Sequence, residues 1–157
     1  YEYRALCLAI FKFLILFFVA DVPSQSAEDY LERILELVQE TGQARVVDIA
    51  NSLNVRQASV TNMVKKLCDL GYVDHEKYKR GLVLTKKGRE VALKIQRRHE
   101  TLSSFFSILE LDEETQKRDI EGIEHHLSQG TVKALDDLVL FFESYPEVLK
   151  KFLNSRS

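Results

Sequence analysis

The sequence has no tryptophan, and among its 157 residues only two cysteines, two prolines and six glycines. Two thiols, Cys7 and Cys68, exclude a disulfide scaffold and fall short of a cysteine-based zinc site. So few turn-forming residues exclude a fold made of many short strands and predict a mainly helical chain. Long apolar runs are also scarce. The stretch from Leu6 to Ala20 is interrupted by Lys12 and is shorter than the roughly 18 residues that a membrane-spanning helix needs. Charged residues make up 29% and hydrophobic residues 45%, which excludes a disordered tail and a polytopic membrane protein.

The net charge of -2 conceals a strong asymmetry. Residues 1–50 carry 4 basic against 8 acidic side chains, residues 51–100 carry 12 against 5, and residues 101–157 carry 6 against 11. A basic centre suits a polyanion, and acidic flanks suit cations or contacts between subunits. The organisation expected is an apolar leader over 1–25, a DNA-binding domain over 26–85 and a helical domain over 86–157. The leader, rich in phenylalanine, is set aside as upstream sequence or an appended hydrophobic helix in preference to a secretion signal.

Ser26 is expected to cap a helix over Glu28 to Glu40, with Tyr30, Ile34, Leu37 and Val38 as its apolar stripe and Gly42 as its stop. Val46 to Leu53 and Gln57 to Leu70 read as two further helices separated by Asn54-Val55. This is the spacing of a helix-turn-helix. Strand-like runs Tyr72 to His75 and Leu82 to Thr85 follow, joined by a basic tip. A hairpin directly after a helix-turn-helix defines a winged helix. A long helix from Thr85 to about Leu109 is expected next, then helices from Asp112 to near Ser128, from Thr131 to Phe142, and from Pro146 to Leu153. Leu135, Leu138, Val139, Phe141 and Phe142 exceed what one helix face buries and predict a homodimer surface. The fold class is therefore mainly α: an N-terminal winged helix-turn-helix with a two-stranded wing, and a C-terminal helical dimerisation domain.

A recognition helix reads base edges with its early residues. Here these are Gln57, Ala58, Ser59, Thr61 and Asn62, preceded by Arg56. Gln and Asn pair with adenine, and the small residues allow close approach. Lys65 and Lys66, with Lys77, Lys79 and Arg80 on the wing, suit phosphates.

The acidic flanks hold a second pattern. Glu121, Glu124 and His125 stand at i, i+3, i+4, Asp29 and Glu32 at i, i+3, and His99 follows two arginines. Two imidazoles and four carboxylates form a nitrogen–oxygen donor set for one or two divalent ions per subunit. It favours Mn²⁺, with Fe²⁺, Co²⁺ or Zn²⁺ able to substitute.

Residues 26–143 resemble the manganese transport regulators of the diphtheria-toxin-repressor superfamily. The resemblance is carried by Glu28-Asp29-Tyr30 with Glu32, Ala44-Arg45-Val46 with Asp48-Ile49-Ala50, Ser59-Val60-Thr61, Glu76-Lys77-Tyr78, Arg80 through Thr85, Arg98-His99-Glu100, and Glu121 through Ser128. It implies a homodimeric, metal-activated repressor of manganese-uptake genes that binds double-stranded operator DNA in the cytoplasm, with no small-molecule substrate and no membrane partner. It implies the same six ligands, with Asp29 and Glu121 standing where iron-responsive relatives carry Met and Cys. The wing is one residue longer than the usual manganese type. The recognition helix opens Arg56-Gln57-Ala58 where His-Pro-Ser is typical. Three other readings of the residues stay open: a metal-independent winged-helix regulator whose acidic helices bind a protein, a di-metal hydrolase, and a DNA-binding domain tethered to a membrane by the apolar leader.

Overall fold

The computed structural model describes residues 23–74 and 81–156. The leader up to residue 22 and the wing tip, with Lys77, Lys79 and Arg80, lie outside them. The described chain divides into two compact units, one up to Val91 and one from Ala92 onward.

In the N-terminal unit, α1 (Gln25–Thr41), α2 (Val46–Ser52) and α3 (Gln57–Asp69) precede a hairpin of β1 (Val73–Asp74) and β2 (Val83–Leu84). Helix α1 starts earlier than the stripe suggested. Ser24, in extended backbone, is its N-cap, and Ser26 is already helical. The Ser24 carbonyl accepts from the Ala27 and Glu28 N–H groups at 2.7 and 2.9 Å, which starts the helix there. Leu31, Ile34 and Leu35 form its buried face with Tyr30. Gly42 closes the helix at φ 79°, a left-handed conformation that suits glycine. Asn54, at φ 52°, makes the tight turn between α2 and α3, a role its short polar side chain tolerates.

Strands β1 and β2 pair antiparallel, with Val73 opposite Leu84 and Asp74 opposite Val83. Both are shorter than the runs suggested. Leu82 instead bridges to Ala44, with its N–H donating to the Ala44 carbonyl at 2.7 Å. That bridge ties the wing to the segment between α1 and α2, and periodicity alone does not reveal it.

The first turn of α4 (Lys86–Ile108) is locked to this unit. The Thr85 hydroxyl donates to the Gly71 carbonyl at 2.7 Å, and Lys87 lies 4.6 Å above the buried Tyr72 ring. A Cβ on Gly88 would overlap the Tyr72 carbonyl.

In the C-terminal unit, the rest of α4 is followed by α5 (Glu113–Ile123), a 3₁₀ turn (Glu124–His126), α6 (Gln129–Ser144) and α7 (Pro146–Asn154). Asp112 caps α5 as expected, accepting from the Thr115 N–H, and this bond holds its carboxyl below the ordinary value. Two boundaries differ from expectation. Helix α5 stops at Ile123 and does not continue to Ser128, because Glu124 is held by side chains of α4, as described below. Helix α6 is capped by Ser128, whose hydroxyl accepts the Thr131 N–H at 3.1 Å, so Thr131 is the capped residue and not the cap. Ala92, Ile95, Leu102, Ile120 and Val139 are buried in this unit, whereas Leu138, Leu140, Phe141, Tyr145, Val148 and Phe152 are exposed.

The contact at Gly88 gives a first prediction. Gly88→Ala should destabilise the protein by about 2 kcal/mol or more in urea denaturation, because the new methyl meets rigid backbone. Gly122→Ala, at a position in α5 with nothing within 4 Å of the added atom, should be neutral or stabilising by up to ~1 kcal/mol.

Candidate nucleic-acid interface and metal centre

Helix α3 has one apolar and one polar side. Val60, Val64 and Leu67 are buried at helical spacing. Arg56, Gln57, Ala58, Ser59, Asn62, Lys65 and Lys66 are exposed. Thr61 is half-buried, and its hydroxyl donates to the Gln57 carbonyl at 2.9 Å. No acidic residue occupies the first turn of α3. The partial positive charge of the helix N-terminus therefore meets a ligand without a competing carboxylate. An exposed run of amide, hydroxyl and ammonium groups on a rigid helix can read base edges with one end and contact phosphates with the other.

The C-terminal unit centres its chemistry on Glu124, which is 5% exposed. Its Oε2 lies 3.0 Å from His99 Nδ1, and its Oε1 lies 3.5 Å from His125 Nε2. Its backbone is fixed at both ends. The N–H bonds to the Ile120 carbonyl, and the carbonyl accepts from Arg98 Nη1 at 2.9 Å. A carboxylate accepts hydrogen bonds, so a ring turned to it presents N–H and keeps the opposite nitrogen as a lone-pair donor. For His99, whose side chain is 44% exposed, that nitrogen is Nε2.

Glu121 is exposed on α5, one turn before Glu124. Asp29 and Glu32 are half-buried on α1. Among the described residues, no three His, Cys, Asp or Glu side chains form a group able to hold a metal ion. The structure does place Glu124 beside His99 and His125. Sequence reasoning missed Arg98 as the residue that fixes the 3₁₀ turn, although its place beside His99 was the available signal. The remaining thiol of the described chain, Cys68, is driven up from its ordinary pKa by burial and then by the neighbouring Asp69 and Asp74 charges. It lies on α3, outside this cluster.

Comparison with known proteins gives this arrangement a family. Residues 24–82 match the iron dependent repressor N-terminal DNA binding domain, and residues 85–153 match the iron dependent repressor metal binding and dimerisation domain. The chain belongs to the iron dependent repressor family. It is 46% identical over 129 residues to the HTH-type transcriptional regulator MntR of Listeria monocytogenes, covering 82% of this chain and 90% of that one. It is 44% identical over 136 residues to MntR of Lysinibacillus sphaericus, covering 87% and 97%.

Similar solved structures include the manganese regulator SloR, with a TM-score of 0.64 and 31% identity over 73% of this chain and 54% of that one. ScaR with bound Zn²⁺ superposes with a TM-score of 0.62 and 30% identity, over 74% and 54%. The chain thus spans little more than half the length of these solved relatives. Its halves are a DNA-binding domain and a metal-binding and dimerisation domain. The exposed apolar residues of α6 and α7 fall in the latter. Phe141 stacks against Tyr145 at 5.0 Å, and Phe142 against Phe152 at 5.8 Å. Among the described residues, no helix is long and apolar enough to cross a membrane.

Arg98→Gln removes the guanidinium that holds the Glu124 carbonyl. It should weaken divalent-metal binding by about tenfold, measured by calorimetry, while leaving helix content by circular dichroism unchanged.

Proposed function

We propose that this chain is a Mn²⁺-activated, sequence-specific repressor of manganese-uptake genes, acting as a homodimer on double-stranded operator DNA in the cytoplasm. The observation that carries the reading is the buried Glu124 carboxylate set between two imidazoles in a chain whose α3 presents an exposed polar face. The proposed ligands are Asp29, Glu32, His99, Glu121, Glu124 and His125, for one or two ions per subunit. The proposed DNA contacts are Arg56, Gln57, Ala58, Ser59, Thr61, Asn62 and Lys65 on the recognition helix, and Lys77, Lys79 and Arg80 on the wing. The domain limits proposed are 26–85 for DNA binding and 86–157 for metal binding and dimerisation.

The donors suit the ion. They are carboxylate oxygens and imidazole nitrogens, which favour Mn²⁺ while admitting Fe²⁺, Co²⁺ and Zn²⁺. The relatives support this choice: one solved neighbour is a manganese-dependent repressor in complex with manganese, with a TM-score of 0.63 and 29% identity. A bound divalent ion supplies positive charge that relieves the repulsion among four carboxylates. The chain's own part is positional. Arg98 and the Ile120 carbonyl hold the Glu124 backbone, Glu124 orients the His99 and His125 rings, and α1 offers Asp29 and Glu32 one turn apart. Metal binding that favours the operator-binding state is in turn favoured by operator DNA, because the coupling is reciprocal.

No enzymatic role is proposed, since the curated relatives are named transcriptional regulators. A di-metal hydrolase would need a nucleophile or general base beside the ligands, and the sequence motifs supply none.

Fluorescence anisotropy on operator DNA should show binding at least tenfold tighter with Mn²⁺ than with chelator, in line with allosteric couplings of roughly 5–150-fold. Equal affinity under the two conditions would defeat the switch. Glu124→Gln should abolish the difference without unfolding the protein. Lys65→Gln should leave sequence preference intact and reduce the salt dependence of log K by about 0.9.

A further inference from the structure

We propose that the C-terminal unit carries a second binding site, for a phosphate-bearing small molecule, in the cavity between α4 and the first two turns of α6. The cavity measures about 600 Å³, inside the roughly 300–1,000 Å³ range of small-molecule sites. One wall is a cationic stripe of α4: Lys94, Arg97 and Arg98, with Thr101 one turn further on. Lys133 of α6 adds a fourth cation. Asp136 is the carboxylate of the lining, and the Lys133 ammonium is bonded to Asp137 at 2.9 Å. Against four cations stand these two carboxylates, so the concavity keeps a net positive charge that suits an anion.

Three further features distinguish this cavity from a solvated basic surface. Thr101 is 5% exposed and lines the cavity, and its hydroxyl has no hydrogen bond among the described residues. On the wall of the cavity, that hydroxyl can donate to a ligand oxygen. Gly130 lines the cavity in the first turn of α6, where backbone N–H groups lack intrahelical acceptors. The Ser128 cap takes the Thr131 N–H, which leaves the donors ahead of it for a ligand. Arg98 is anchored to the Glu124 carbonyl, so its guanidinium is held in place before any ligand arrives.

The chemistry favours a phosphoryl group over a carboxylate. It carries close to two negative charges at neutral pH and three acceptor oxygens, which suit converging guanidinium and ammonium groups and a hydroxyl donor. The cavity is much larger than one phosphoryl group, so the ligand carries a body beyond it. The site lies wholly within the C-terminal unit and does not depend on the operator reading.

Calorimetry on the metal-free full chain, with inorganic pyrophosphate and a hexose phosphate as probes, tests the proposal. Saturable binding is expected, weakened at least tenfold in Lys94→Gln/Arg97→Gln and reduced in Thr101→Val, with the urea midpoint of each variant near the parent value. Lys117→Gln, outside the cavity, should bind as the parent does. No saturable heat up to about 10 mM probe, or equal affinity in the double variant, would overturn the site. A short duplex of unrelated sequence should not displace the probe. Displacement would assign these cations to the DNA backbone and end the small-molecule reading.

Discussion

Taking a carboxylate out of water costs several kcal/mol unless hydrogen bonds replace the lost hydration. Glu124 meets that demand with the imidazoles of His99, at 3.0 Å, and His125, at 3.5 Å. An arginine there would neutralise the carboxylate permanently. Two imidazoles leave it open to exchange one partner for another. Arg98 is close by, yet its Nη1 is directed to the Glu124 backbone carbonyl. That bond places the residue, and the imidazoles face its carboxylate.

The two units differ in how they are stabilised. The N-terminal unit buries Leu31, Ile34, Leu35, Ile49, Val60 and Leu67 almost completely, and a rigid core of that kind is what a reading helix requires. The C-terminal unit buries less of its apolar surface and leaves the α6 and α7 aromatics partly in solvent. That is the condition expected of a dimerisation domain, whose core is completed by a second copy. The acidic balance of residues 101–157 acts in the same direction: it disfavours contact with DNA and favours divalent cations.

The helix order was legible because the apolar stripes recur at helical spacing and because Gly42, Asn54, Gly71 and Asp112 punctuate them. The wing was legible as a hairpin, but its bridge from Leu82 to Ala44 was not, since a single backbone pairing across distant sequence has no periodic signature. The end of α5 was misjudged for a related reason. Helical spacing continues through His125, while tertiary contacts from Arg98 and His99 convert the last turn to a 3₁₀ geometry. Ser128 and Thr131 are both good caps, and only the backbone shows which one accepts the bond. Composition, by contrast, narrows the donor types. A chain with two cysteines and clustered carboxylates and histidines has few ways to bind a hard cation.

The charge pattern explains why geometry should govern DNA affinity here. A net charge of -2 provides no long-range attraction to a polyanion. At physiological salt, charges separated by more than about 8 Å are largely screened. The basic residues of 51–100 therefore act only when they sit against the phosphates, within a few ångströms. A protein drawn to DNA by its overall charge would bind whatever the arrangement of its reading helices. In a nearly neutral dimer, one misaligned half forfeits its phosphate contacts entirely, so a constraint on helix position of the kind a bound ion can impose becomes a large change in affinity.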